Sequence, residues 1–174
     1  MRKMAGILLL VLTVLVPPAP AAAGAGTVVF IVGSNRGMVD GRTLLMDVAP
    51  FVDPASGRVY VPLRSLAQVL GANITWDATT RTVMLDLEEN GGQGRDLVLE
   101  LDIGGKTMTV TNRPGSRGIQ AQFISWQQVD MDAPPVIVQG RTMVPVSWVA
   151  RPLGVSVTWN PAARSVTLAN AATA

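Results

Sequence analysis

A stretch written twice constrains this chain more than anything else in it. Gly57-Arg58-Val59-Tyr60-Val61-Pro62-Leu63 aligns without a gap onto Gly140-Arg141-Thr142-Met143-Val144-Pro145-Val146. The match runs on through Leu70-Gly71 onto Leu153-Gly154 and Thr75-Trp76 onto Thr158-Trp159. It closes with Arg81, Val83 and Leu85 on Arg164, Val166 and Leu168, at the same offset throughout. Upstream, Met46-Asp47-Val48-Ala49-Pro50 resembles Met131-Asp132-Ala133-Pro134-Pro135, with a small length difference before the shared Gly-Arg. Pro, Gly, Trp and Arg kept in order by a gapless match point to duplication. The residues that define the unit are Gly57, Arg58, Pro62, Gly71, Trp76 and Arg81, matched by Gly140, Arg141, Pro145, Gly154, Trp159 and Arg164.

Each unit reads as strand, helix, strand, turn, strand. Val59 to Val61 is β-branched and aromatic, hence extended. Pro62 suits a first helical turn, where its missing N–H needs no partner. Leu63, Leu66, Ala67 and Leu70 recur at helical spacing, and Gly71 stands where a left-handed residue ends a helix. Ile74 to Trp76 and Thr82 to Leu87 are predicted strands around an Asp77-Ala78-Thr79-Thr80 turn. The expected fold class is α+β, two pseudo-repeated units, each a small antiparallel sheet packed on one short helix. The second helix should be shorter or kinked, because Pro152 stands where Val69 does in the first unit. Trp76 and Trp159 share one unit position and are expected in the core.

Period-two alternation adds further strands. Val28, Phe30 and Val32 share a face, as do Leu97, Leu99, Leu101 and Ile103, with Asp96, Glu100 and Asp102 opposite. Gly104-Gly105 turns into a strand over Lys106 to Thr111, with Met108 and Val110 inward, and Asn112 to Gly118 reads as an exposed loop.

The N-terminus is of another kind. Arg2 and Lys3 precede an apolar run from Ile7 to Val16, and small residues crowd Pro20 to Gly26. The run is too short to span a hydrocarbon core of about 30 Å. Residues 1–23 therefore read as a secretory signal peptide, cut after Ala23 or, as second choice, Ala25. The expected organisation is that signal followed by a domain over 27–169, with repeat 1 at 27–88, a Gly-rich seam at 89–94 and repeat 2 at 95–169. The mature chain should be secreted or associated with the cell envelope, with no membrane span. Cleavage removes Arg2 and Lys3, leaving 12 basic residues against 12 acidic ones. A neutral chain without a basic block has no electrostatic footprint for nucleic acid.

Val61-Pro62-Leu63-Arg64, Leu70-Gly71-Ala72, Thr75-Trp76-Asp77 and Thr80-Arg81-Thr82-Val83 together resemble the copper amine oxidase N-terminal-like domain. Pro134-Pro135-Val136-Ile137-Val138, Gly140-Arg141 and Val144-Pro145 fit the same family, and the likeness runs from about Thr27 to Leu168. The resemblance implies a stalk-like, non-catalytic module of exported bacterial proteins, one that stands apart from the copper site in the oxidases that give it its name. The second unit departs from the pattern with Ser147 for Arg64 and with Pro152.

The residue inventory agrees with that implication. The chain has no His and no Cys, so imidazole and thiolate metal ligands, disulfides and the usual nucleophile–base pairs are unavailable. No cofactor is expected. The single tyrosine, Tyr60, lies in a Val-Tyr-Val strand and reads as packing. Carboxylate pairs remain, Asp130 with Asp132 and Asp86 with Glu88, each placed on one strand face by alternation. Trp126 and Trp148 have no tryptophan counterpart in the other unit; Trp148 replaces Ser65. They mark either the seam between units or a contact surface for sugar or protein. The expected function is a non-catalytic exported module that binds or spaces a protein or cell-wall polymer. Two alternatives stand beside it: a carboxylate-dependent hydrolase of cell-wall polymer, and a self-associating scaffold.

Overall fold

The computed structural model describes residues 26–87, 95–114 and 124–170. The signal-like N-terminus, Glu88 and the Gly-rich segment 89–94 lie outside the described residues. The described chain is mostly antiparallel β-structure with two short helices, an α+β arrangement. Its elements run β1 (Thr27–Ile31), β2 (Arg36–Val39), β3 (Arg42–Leu45), β4 (Phe51–Val52), β5 (Val59–Pro62), α1 (Leu63–Leu70), β6 (Asn73–Asp77) and β7 (Thr82–Leu87). They continue with β8 (Arg95–Asp102), β9 (Thr107–Pro114), β10 (Ser125–Asp130), β11 (Val136–Val138), β12 (Arg141–Pro145), α2 (Val146–Ala150), β13 (Val155–Asn160) and β14 (Ser165–Asn170).

The expectation of one sheet per unit needs correction. Three sheets form, ordered β13-β14-β1-β2-β3, β10-β9-β8-β7-β6 and β11-β12-β5-β4. Every one of them takes strands from both halves of the chain. The reason lies in the free edges: β7 pairs with β8, the first strand of the second half, and β14 returns to pair with β1. Each half thus completes a sheet begun by the other. In the four-stranded sheet β5 and β12 pair about Val61 and Val144, which occupy the same position in the two matched stretches.

Local chemistry explains the corners. Asp40-Gly41 joins β2 to β3, and Gln139-Gly140 joins β11 to β12, with positive φ at both residues of each. That is the two-residue turn whose twist suits a hairpin. Between β6 and β7 the Asp77 carboxylate accepts N–H bonds from Thr79 and Thr80 (2.7 and 3.3 Å), and Arg81 is held at φ 58°. Asn160 serves the β13–β14 turn in the same way toward Ala163, and Arg164 sits at φ 47°. The loop from Asp53 to Arg58 is longer than its counterpart, which accounts for the length difference seen upstream of Gly-Arg. There Asp53 accepts from the Ser56 N–H and hydroxyl.

Pro62 ends β5 with an extended ψ of 123°, so α1 begins one residue later than expected. Leu63, Leu66 and Ala67 are buried, Leu70 half-buried, and Gly71 closes the helix at φ 71°. The second helix is shorter, stopping at Ala150 before Pro152, as the missing N–H requires. The strand after Gly104-Gly105 is longer than expected, reaching Pro114, so Asn112 and Arg113 belong to β9 rather than to a loop. The rest of that loop, 115–118, lies outside the described residues.

One core joins the halves. Val28 and Phe30 from β1, Leu85 from β7, Leu99 and Leu101 from β8, Met108 and Val110 from β9, and Leu168 from β14 pack with both helices. A smaller cluster of Val48, Tyr60, Ala133 and Met143 covers the other face of the four-stranded sheet. There the Tyr60 ring stacks on Phe51 at 5.0 Å, and its hydroxyl donates to the Pro134 carbonyl at 2.8 Å. Tyr60 is a packing residue.

Candidate functional site

Two ion pairs flank the central β5–β12 pair. Arg58 follows Gly57 and stands just before β5, and Arg141 begins β12 after Gly140; both glycines have φ near 70°. Each arginine reaches a carboxylate of the opposite half. Arg58 donates to Asp132 through Nε (2.8 Å) and Nη2, and Arg141 donates through Nε to Asp47 at 2.7 Å. The acids are held by buried methionines beside them. The Met46 N–H donates to Asn35 and the Met131 N–H to Lys106, fixing Asp47 and Asp132 at the ends of β3 and β10.

The two pairs differ in what lies over them. Trp148, third residue of α2, donates its indole N–H to Asp132 Oδ1 at 2.7 Å, and the Arg58 guanidinium lies 5.9 Å from its ring centroid. The Arg58 hydrogen bonds, followed by that of Trp148, hold the Asp132 carboxyl below its ordinary range. At the third residue of α1 stands Ser65, with no ring. Beside Asp47 and Arg141 a groove of about 560 Å³ opens instead. Pro62, Leu63 and Val83 lie along it, Ile74 and Trp76 of β6 form a wall, and Leu45 and Ile137 stand at the rim. Arg64, Ser65 and Gln68 of α1 supply polar edges.

Trp76 and Trp159 require correction. They were expected in the core, but are 44% and 42% exposed. Both sit opposite buried valines, Trp76 on Val83 and Trp159 on Val166, so they face the core side of their sheets. They belong to edge strands, however, where the core no longer covers the sheet. In Trp76 this half-exposure makes a groove wall. Trp126 is 68% exposed on β10 opposite Thr111, on the face away from Leu99 and Val110. Trp148 is half-buried between Asp132 and Arg58, one residue from each half, and no ring pair joins it to Trp126.

The candidate acids do not converge. Asp132 is engaged by Arg58 and Trp148, while Asp130 ends β10 on the exposed side. Asp86 pairs with Arg113 at 3.3 Å, and its other oxygen is buried without a partner among the described residues. No group of three or more acidic side chains able to hold a metal occurs among the described residues. The groove and the two arginine–carboxylate pairs are what sequence reasoning missed. Gly-Arg and Met-Asp were each recognised in both units, and that twofold recurrence was the available signal that they meet.

A family profile described as the copper amine oxidase N-terminal domain matches residues 38–168. The chain belongs to that family. The match takes in β3 through β14, hence both ion pairs and the whole groove. No curated protein and no solved structure matches the chain. The copper of the family name finds no histidine here, and the domain's described acids are separated or spent on arginine. Its residues do not fit a copper centre. No helix among the described residues is long and apolar enough to cross a membrane.

Proposed function

We propose that this copper amine oxidase N-terminal domain is a non-catalytic binding or spacer module, exported by the segment 1–23 and working in the cell envelope or the secreted fraction. Its domain extends over 27–169 and arose by duplication of one unit, the halves meeting at 89–94. The observation that carries the reading is the groove beside Arg141 and Asp47. Apolar side chains line it, arginines and a carboxylate edge it, and no histidine, cysteine or converged acid pair stands in it. Such a surface suits recognition: its one carboxylate, Asp47, is held by Arg141, and no second acid stands beside it in the groove. The hydrolase alternative loses support because Asp132 is a fixed, paired anion rather than a free acid.

The mature chain, incubated with insoluble peptidoglycan and with envelope extract, is expected to be retained on at least one of them. Absence from both pellets contradicts the reading. The scaffold alternative draws on open edges, since β6 and β10 each end a sheet and are exposed along most of their length. Light scattering that shows growth in mass with concentration would favour it.

A further inference from the structure

The two halves present the same arrangement in two states, one filled and one open. Arg58 and Asp132 hold a tryptophan from their own chain, through an indole N–H bond to Asp132 Oδ1 and a guanidinium near the ring. Arg141 and Asp47 repeat the pair with nearly the same Nε–Oδ2 distance, but Ser65 replaces Trp148 and the groove is open there. Asp47 Oδ1, the counterpart of the oxygen that Trp148 uses, accepts no hydrogen bond among the described residues. The half-exposed Trp76 and the exposed Ile74 and Ile137 continue the apolar surface away from the ion pair.

We propose that this groove takes an aromatic side chain, tryptophan by preference, from a segment of a partner polypeptide. The ring lies by the Arg141 guanidinium and its N–H donates to Asp47. The molecule itself supplies the template, because it solves the same recognition internally with Trp148. An indole finds here what Trp148 finds in the other half, a carboxylate acceptor and a flat cation beside apolar side chains, and a ring beside a cation is favourable. Arg64, Ser65, Gln68 and Thr142 remain as polar partners for the residues that flank it. The volume lies within the range of about 300–1,000 Å³ usual for ligand sites, which leaves room for residues flanking the ring. The inference rests on the reading of the chain as a binding module and names the class of its partner.

The test uses N-acetyl-tryptophanamide as probe and amide shifts of the full chain as readout. Saturable shifts are expected around Asp47, Ser65, Trp76 and Arg141. N-acetyl-phenylalaninamide and the 1-methylindole analogue, which lack the donor, should bind at least threefold more weakly. Ser65→Trp should build the plug that the other half already carries and abolish those shifts. Trp148→Ser should open the second slot and add a second set around Arg58 and Asp132. The two variants act in opposite directions, so misfolding of either leaves the other to decide. No shifts in the wild type up to the probe's solubility limit, or shifts that survive Ser65→Trp in a folded chain, overturn the proposal. A dimer that dissociates on Trp126→Ala and is blocked by Ser65→Trp assigns the slot to a second copy and overturns the choice of partner. Retention on envelope material that persists in Ser65→Trp leaves the binding module standing without this groove. Probe binding without any retention does the reverse.

Discussion

At the scale of residues, the two ion pairs offer a controlled comparison within one molecule. Both are half exposed, where such pairs contribute about 0–1 kcal/mol. The Arg58–Asp132 pair also carries Trp148, and a ring beside an arginine adds about 0.5–1 kcal/mol. Double-mutant cycles by urea unfolding should therefore give a larger coupling for Arg58 with Asp132 than for Arg141 with Asp47. Equal couplings would deny Trp148 any part in it. The carboxyl of Asp132 is held low by its donors, and those of Asp53 and Asp77 by Ser56 and by the Thr79 and Thr80 amides. Because their folded values lie below the unfolded ones, their stabilisation is present above about pH 4 and lost as pH falls through the folded values. Asp132→Asn should accordingly show a shallower fall in stability on acidification. At Gly37 the constraint is steric: a Cβ there would meet the Val29 carbonyl oxygen at 2.6 Å. Gly37→Ala should cost about 1–3 kcal/mol by thermal unfolding, since the obstacle is backbone and cannot swing away.

Helices and strands show how far sequence pattern reaches. The α1 stripe, the α2 truncation at Pro152 and the full span of β7 were legible because each depends on neighbours within a few residues. Burial of Trp76 and Trp159 was misread because a repeated position fixes register, whereas burial depends on what lies beyond the strand; β6 ends its sheet and β13 ends another. Strand β11 and most of β10 escaped notice, since most of their residues are exposed or half-buried and leave no alternation. The single strand face expected for Asp130 and Asp132 fails because β10 stops at Asp130. The helix comparison makes a prediction at this scale. Val69→Pro places in the last turn of α1 the residue that limits α2, and it should cost about 3 kcal/mol or more. An unchanged midpoint in denaturant would mean that α1 contributes little to the core.

For the whole molecule, the decisive feature is that strands cross between halves. Sequence repetition suggested two self-contained units; pairing of β7 with β8 and of β14 with β1 makes each incomplete alone. The same crossing builds the site, because Arg141 and Asp47 come from opposite halves, as do Arg58 and Asp132. Such long-range pairings are invisible to local periodicity, which is why the groove was not read from the chain while its separate residues were. Separate peptides covering 26–87 and 95–170 provide the most direct measurement of this interlocking. Each alone should lack near-ultraviolet dichroism and a cooperative thermal transition, and mixing them in equal amounts should restore both. A cooperative transition in either peptide by itself would contradict the account.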